Sequence, residues 1–214
     1  EFVRAQGAPA EPYMATLLTI LESPGIAVAL LIGTAASRGS GAPGGEAAPE
    51  ARPLREVVHE VATGRTMMLL VGGLVIGTLI GRRGYEPIAP MFDGLFKGAL
   101  VLFLLEMGVV AGDRLHDLRK VGPFLLGFGV IMPIVHGALG TWLGTVAGLS
   151  PGGATVLGTM AASASYIAAP SAVRMSLPAA NPTYYLTSSL AITFPFNLVL
   201  GIPLFYRIAQ LLAA

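Results

Sequence analysis

Long apolar stretches alternate with short polar joints along the whole chain. They run over Tyr13–Ala35, Thr66–Gly81, Ile88–Ala111, Val121–Leu149, Pro151–Met175 and Tyr184–Leu212. A helix needs about 20 mostly apolar residues to cross a bilayer, and most of these stretches have that length. The second is short. The fifth is interrupted by Pro170, which follows a run of small residues. The pattern predicts an all-α, polytopic membrane protein with about six transmembrane helices.

The joint between the first two stretches differs from the others. Its first part, SRGSGAPGGEAAPEARP, is rich in Gly, Ala and Pro, a composition that favours a flexible linker. The following LREVVHEVATG has the pattern of a short amphipathic helix. Three parts are therefore expected: a first span over residues 1–36, a linker over 37–64, and a helical region over 65–214. Lys and Arg in short loops set orientation. Arg38, Arg52, Arg55 and Arg65 mark the linker, and Arg114, Arg119 and Lys120 mark the loop two crossings later. Both are expected to be cytoplasmic, with the C-terminus outside, although Arg82 and Arg83 in the intervening loop oppose this.

Composition narrows the class further. Of 214 residues, 54% are hydrophobic and 12% charged, about half the charged fraction of a soluble domain. Mean hydropathy is +0.72. A net charge of +1 gives no reason to expect a nucleic-acid partner. The absence of cysteine removes disulfide and thiolate chemistry. No HExxH, GxSxG or phosphate-loop pattern occurs, and three scattered histidines make no metal site. A non-enzyme without a bound cofactor or metal is expected.

Two distant segments resemble one another. Residues 9–32 read PAEPYMATLLTILESPGIAVALLI, and residues 178–202 read PAANPTYYLTSSLAITFPFNLVLGI. Tyr13 aligns with Tyr184, Thr16 with Thr187, Pro24 with Pro195 and Val28 with Val199. Pro9 and Pro12 align with Pro178 and Pro182, and Val3-Arg4 with Val173-Arg174. Chance explains matched Leu and Val between apolar helices, but matched prolines and a Tyr-x-x-Thr less readily. The first span then reads as the last helix of one repeat, and the remainder as a second, five-helix repeat. An odd number of helices inverts the second copy, the plan of many secondary transporters. Four helices of a first copy are expected upstream.

The stretch ASASYIAAPSAVRMSLPAANPTYYLTSSLAITFPFNLVLGIPLF (162–205) closely resembles the C-terminal half of the sodium-dependent bicarbonate transporters, permeases first known from cyanobacteria. GLFKGALVLFLLEMGVVAGDRLHDLRKVGPFLLGFGVIMPIVHGALG, upstream, is similar to the same half. The resemblance implies a 5+5 inverted-repeat transporter in the bacterial inner membrane. It also implies bicarbonate or a similar small anion as substrate and sodium as coupling ion. A homotrimer and a PII-like cytoplasmic regulator are implied as well. Transport of another small carboxylate, or a non-transporting scaffold or receptor role, remains the alternative.

The residues themselves suggest where a site would lie. In AASASYIAAPSA (161–172) small and hydroxyl-bearing side chains precede Pro170, which prevents a continuous helix. A broken helix exposes backbone groups that lipid would not tolerate, and such groups bind ions at helix ends. The alternative is a packing seam of small residues with a kink. For a site, Ser163 and Ser165 are the hydroxyl candidates, with Tyr166 and the backbone near Ala168. Thr193 and Asn197 flank Pro195 one turn apart and could line the same cavity. For Asn197, an interhelical hydrogen bond is the other reading. Cyanobacterial members carry an acidic residue where this chain has Tyr166. A phenol is a poorer sodium ligand than a carboxylate, so the departure bears on coupling more than on transport.

Ionisable residues inside spans are candidate sites by default. Glu106 lies deep in the third stretch without a partner within one turn of its own helix. His136 lies centrally in the fourth, where a proton relay competes with a neutral histidine bonded to a neighbouring helix. Glu22 precedes Ser23-Pro24-Gly25 and stands, by the repeat, level with Thr193.

Overall fold

The computed structural model describes residues 2–39, 59, 63, 65–165, 168–178 and 180–213. Among them every regular element is helical, and no strand occurs. In chain order the helices are α1 (Phe2–Ala5), α2 (Met14–Gly39), α3 (Arg65–Tyr85), α4 (Leu95–Leu115) and α5 (Leu118–Val146). The two short helices α6 (Pro151–Ala162) and α7 (Ala168–Ser176) follow. Last comes α8 (Pro182–Ala213), in which α-helical pieces alternate with π-helical turns at Thr187–Thr193 and Asn197–Gly201. Most of the linker expected over 37–64 lies outside the described residues, and α2 itself runs on to Gly39.

Four helices among the described residues are long and apolar enough to cross a membrane: Met14–Gly33, Pro90–Leu115, Gly122–Val146 and Pro182–Ala213. The other two of the six stretches read from the sequence are not among these four. Thr66–Gly81 lies in α3, but the backbone leaves helical geometry at Gly81 (φ 58°, ψ −170°), which shortens the straight part. Only glycine adopts this conformation without steric cost. Pro151–Met175 becomes two short helices of 12 and 9 residues rather than one span.

The chain divides into two compact units. One comprises residues 1–18, 111–166 and 181–214, and the other residues 19–110 and 167–180. In the first unit α5, α6 and α8 pack through residues too small to keep the helices apart. A Cβ added at Gly140 would lie 2.7 Å from the Ala161 Cβ, and one at Gly144 would lie 3.0 Å from the Ala154 Cα. A Cβ at Gly158 would strike the Thr141 hydroxyl, and one at Gly137 the ring of Phe205. Phe205 and Thr141 are both fully buried. Close backbone approach of this kind supplies dispersion contact that apolar burial alone cannot supply in lipid.

Hydroxyls in this seam are satisfied locally. Thr141 Oγ1 donates to the Gly137 carbonyl at 2.8 Å, and Thr145 Oγ1 to that of Thr141 at 3.0 Å. On α6, Thr155 donates to Pro151 O, Thr159 to Thr155 O, and Ser163 to Thr159 O, at 2.6, 2.8 and 2.7 Å. Each is a bond back to the carbonyl four residues earlier, which hides a polar group without water or a second helix.

In the second unit Ile26 and Leu30 of α2 pack with Ala172 of α7, supported by Ala169, Val173 and Leu177. Gly33 makes room for Leu177, whose Cδ1 lies 2.8 Å from where a Cβ would stand. On α3 and α4 the apolar side chains are open: Leu79 is 80% and Leu95 68% exposed. Water disfavours such a surface and lipid accepts it.

Glycines in the two units should therefore respond oppositely to substitution. Gly158→Ala should lower the unfolding temperature of the protein in detergent, since overpacking costs about 1–3 kcal/mol. Gly98→Ala on α4 should leave it unchanged or raise it, because nothing lies within 4 Å of its added Cβ and alanine is the better helix former. Equal effects at the two positions would contradict the packing described.

Candidate functional site: the break after helix α6

Helix α6 begins with a complete N-terminal cap. Ser150 takes extended geometry, its Oγ accepts the Gly153 amide at 3.1 Å, and Pro151 occupies the first helical position. Twelve residues later the helix stops. Ser163 leaves helical geometry (φ −84°, ψ 146°), and its amide closes the last turn on Met160 O at 3.2 Å. The break lies upstream of Pro170, which stands in the first turn of α7, where its missing N–H costs nothing.

A helix ending in an apolar medium leaves carbonyls needing donors. One donor comes from α8. The Asn197 Nδ2 group donates to the Ala162 carbonyl at 2.9 Å, and Asn197 is only 3% exposed. Its other polar atom, Oδ1, is buried and makes no hydrogen bond. Gly201, one turn on, has no side chain to fill the space there: an added Cβ would lie 2.7 Å from Oδ1. A buried amide oxygen beside the negative end of a helix dipole is suited to a small hard cation or a hydrogen-bond donor.

The form of α8 follows from its two inner prolines, Pro195 and Pro203. Proline has no N–H, and its ring would clash with the carbonyl four residues back, that of Ala191 in the case of Pro195. The helix widens before each proline instead, over Thr187–Thr193 ahead of Pro195 and over Asn197–Gly201 ahead of Pro203. Phe194 N–H bonds to Ser189 O, and Ile202 N–H to Asn197 O, each five residues back. Such π turns often accompany functional sites. The widened helix places Thr193 against α5, where Oγ1 donates to Gly129 O at 2.8 Å. Thr187, fully buried, has an Oγ1 without a hydrogen-bond partner. Sequence reasoning did not single out Thr187 as a site residue; the only signal was its alignment with Thr16.

The family model described as the Na+-dependent bicarbonate transporter superfamily matches residues 1–210. The chain belongs to that superfamily. No curated protein matches it.

Within this family member the structure brings some of the sequence-derived site residues together and not others. Ser163 and Asn197 both stand at the end of α6, but the Ser163 hydroxyl hydrogen is committed to Thr159 O. Ser165 is half-buried in the extended segment that follows. Tyr166 lies outside the described residues, and Ala168 opens α7 in the second unit. Thr193 is buried but bonded to α5 rather than to α6. Glu22 is half-buried on α2 and Glu106 exposed on α4, both in the second unit. His136 is exposed on α5, while the adjacent Gly137 faces Phe205.

Asn197→Ala would strip Ala162 O of its donor inside the fold. The loss should cost about 1–3 kcal/mol, the usual range for stranding a buried polar group, and lower the unfolding temperature in detergent. Thr193→Val, which leaves Gly129 O without the hydroxyl, should cost about 1 kcal/mol. Stability unchanged in both variants would mean that these bonds do not hold α8 in place.

Proposed function

We propose that the chain works as part of a membrane secondary transporter that carries bicarbonate, or a similarly small carboxylate, together with sodium. The observation that carries this reading is the broken helix itself, in a chain belonging to the Na+-dependent bicarbonate transporter superfamily. Helix α6 ends at Ala162 among buried groups, and Asn197 meets that end with one amide atom bonded and one unbonded. Discontinuous helices of this kind form ion and substrate sites in secondary transporters.

In this reading sodium is drawn to the carbonyl end of α6 and to Asn197 Oδ1, with Ser163 and Ser165 as further oxygen ligands. To the anion we assign Tyr166, as a hydrogen-bond donor, and the backbone near Ala168. A neutral phenol in place of a carboxylate leaves the sodium site with less negative charge and weaker ion affinity. It also gives the anion a hydrogen-bond donor. The architecture we infer is a 5+5 inverted repeat, with the linker over 37–64 joining the last helix of one copy to the second copy.

The local order of elements supports the repeat. Helix α1 with Val3-Arg4, the loop through Pro9 and Pro12, and α2 with Pro24 follow one another. Helix α7 with Val173-Arg174, the loop through Pro178, and α8 with Pro195 repeat that order.

Reconstitution of the intact protein into liposomes tests the reading. Labelled bicarbonate should accumulate when sodium is high outside, and accumulation should fall when potassium replaces it. Asn197→Ala should reduce sodium-driven uptake by about tenfold, equivalent to roughly 1.4 kcal/mol. Uptake indifferent to sodium would defeat the coupling. No uptake of bicarbonate, formate or acetate would leave a scaffold or receptor role instead.

A further inference from the structure

At its other end α6 meets a segment 139 residues away in sequence. The Glu11 carboxylate accepts the Ser150 amide at 2.6 Å through Oε1, while Oε2 is buried without a hydrogen bond. The Ser150 hydroxyl donates to Pro9 O at 3.3 Å. The segment lies directly on the helix end, and two glycines make that possible. A Cβ at Gly152 would strike the Ala8 carbonyl, and one at Gly153 would strike the Glu11 carboxylate. Nearby, Phe2 of α1 packs edge-on against Tyr206 of α8, with ring centroids 5.8 Å apart. The amide end of a helix carries partial positive charge, and here a built-in carboxylate already occupies it.

We propose that Glu11 is the resident anion of the α6 N-terminus, clasping the Ala8–Glu11 segment to this half-helix and closing that end to other anions. Two consequences follow. The chain leading into α2 is tied to the first half of the broken helix through a charge-assisted hydrogen bond, the stronger kind. A transported anion must find its amide donors elsewhere. This second consequence rests on the transport reading, whereas the clasp itself does not.

The clasp stays charged under ordinary conditions. Burial pushes the Glu11 carboxyl upward, but the neighbouring donors, the Ser150 amide first among them, outweigh it, so the pKa lies below its ordinary value. The other charged or titratable side chains on adjoining elements are Arg4 on α1, Tyr13 beyond the loop, and Tyr206 and Arg207 on α8. None of them is bonded to the Glu11 carboxylate among the described residues. The end of α5 beside α6, Gly140–Val146, has no titratable side chain. With a lowered folded-state pKa, the contribution is complete above the ordinary carboxylate range and is lost as pH falls through the folded value.

Hydrogen exchange over Leu149–Ala154, expressed as protection relative to unstructured chain, reads the clasp in the intact protein in lipid nanodiscs. Wild type should be protected at neutral pH and lose that protection in acid. The isosteric E11Q should show about tenfold less protection, from loss of a charged hydrogen bond, and no acid step. In E11A, formate should restore part of the protection by seating a carboxylate in the vacated position. Wild-type protection in E11A and E11Q, or an acid step that persists in E11Q, would overturn the clasp. Formate without effect on E11A would overturn its description as an anion seat. None of these readings depends on transport, so the clasp and the transporter assignment fail separately.

Discussion

A helix that stops inside an apolar medium must find donors for its last carbonyls, and that requirement organises the first unit of this protein. The Asn197 amide bonded to Ala162 O meets it. For Asn197 to reach across, α8 must approach α6 closely, and the glycines and alanines between α5, α6 and α8 permit that approach. Thr141, Thr155 and Thr159 bond back along their own helices and so satisfy their hydroxyls within the seam. Even the π turns of α8 belong to this picture, since Pro195 and Pro203 each follow a widened turn and Asn197 opens the second of them.

The two ends of α6 are finished in different ways. At the N-terminus Ser150 caps, Pro151 starts the helix, and Glu11 supplies negative charge where the dipole favours it, with Oε1 bonded to the Ser150 amide and Oε2 buried without a partner. At the C-terminus one amide atom is bonded and the other is not. A buried polar atom without a partner is costly.

Much of this was legible in the sequence. Apolar runs gave the all-helical, membrane-length character directly, because lipid selects by length and hydropathy alone. The small residues of 161–172 pointed to a broken helix, and the break falls within them, at Ser163–Ser165. Its exact place was not legible: Pro170 reads as a breaker but sits in the first turn of α7, where proline fits. Asn197 was recognisable as a polar group too expensive to leave in lipid. Its partner was not, because a donor–acceptor pair 35 residues apart leaves no local pattern. Glu11 shows the same limit more strongly. It reads as one acidic residue in a polar lead-in, and only the fold sets it on a helix 139 residues away.

The most direct test of the central claim, an ion site at the carbonyl end of α6, is a salt titration of unfolding temperature for the intact protein in detergent. At constant ionic strength, sodium should raise the temperature and potassium should not, since a ligand bound only by the folded state stabilises it by mass action. In Asn197→Ala the sodium-specific rise should disappear. Equal shifts with both ions, or a sodium-specific rise that survives in Asn197→Ala, would contradict a sodium site built on this residue.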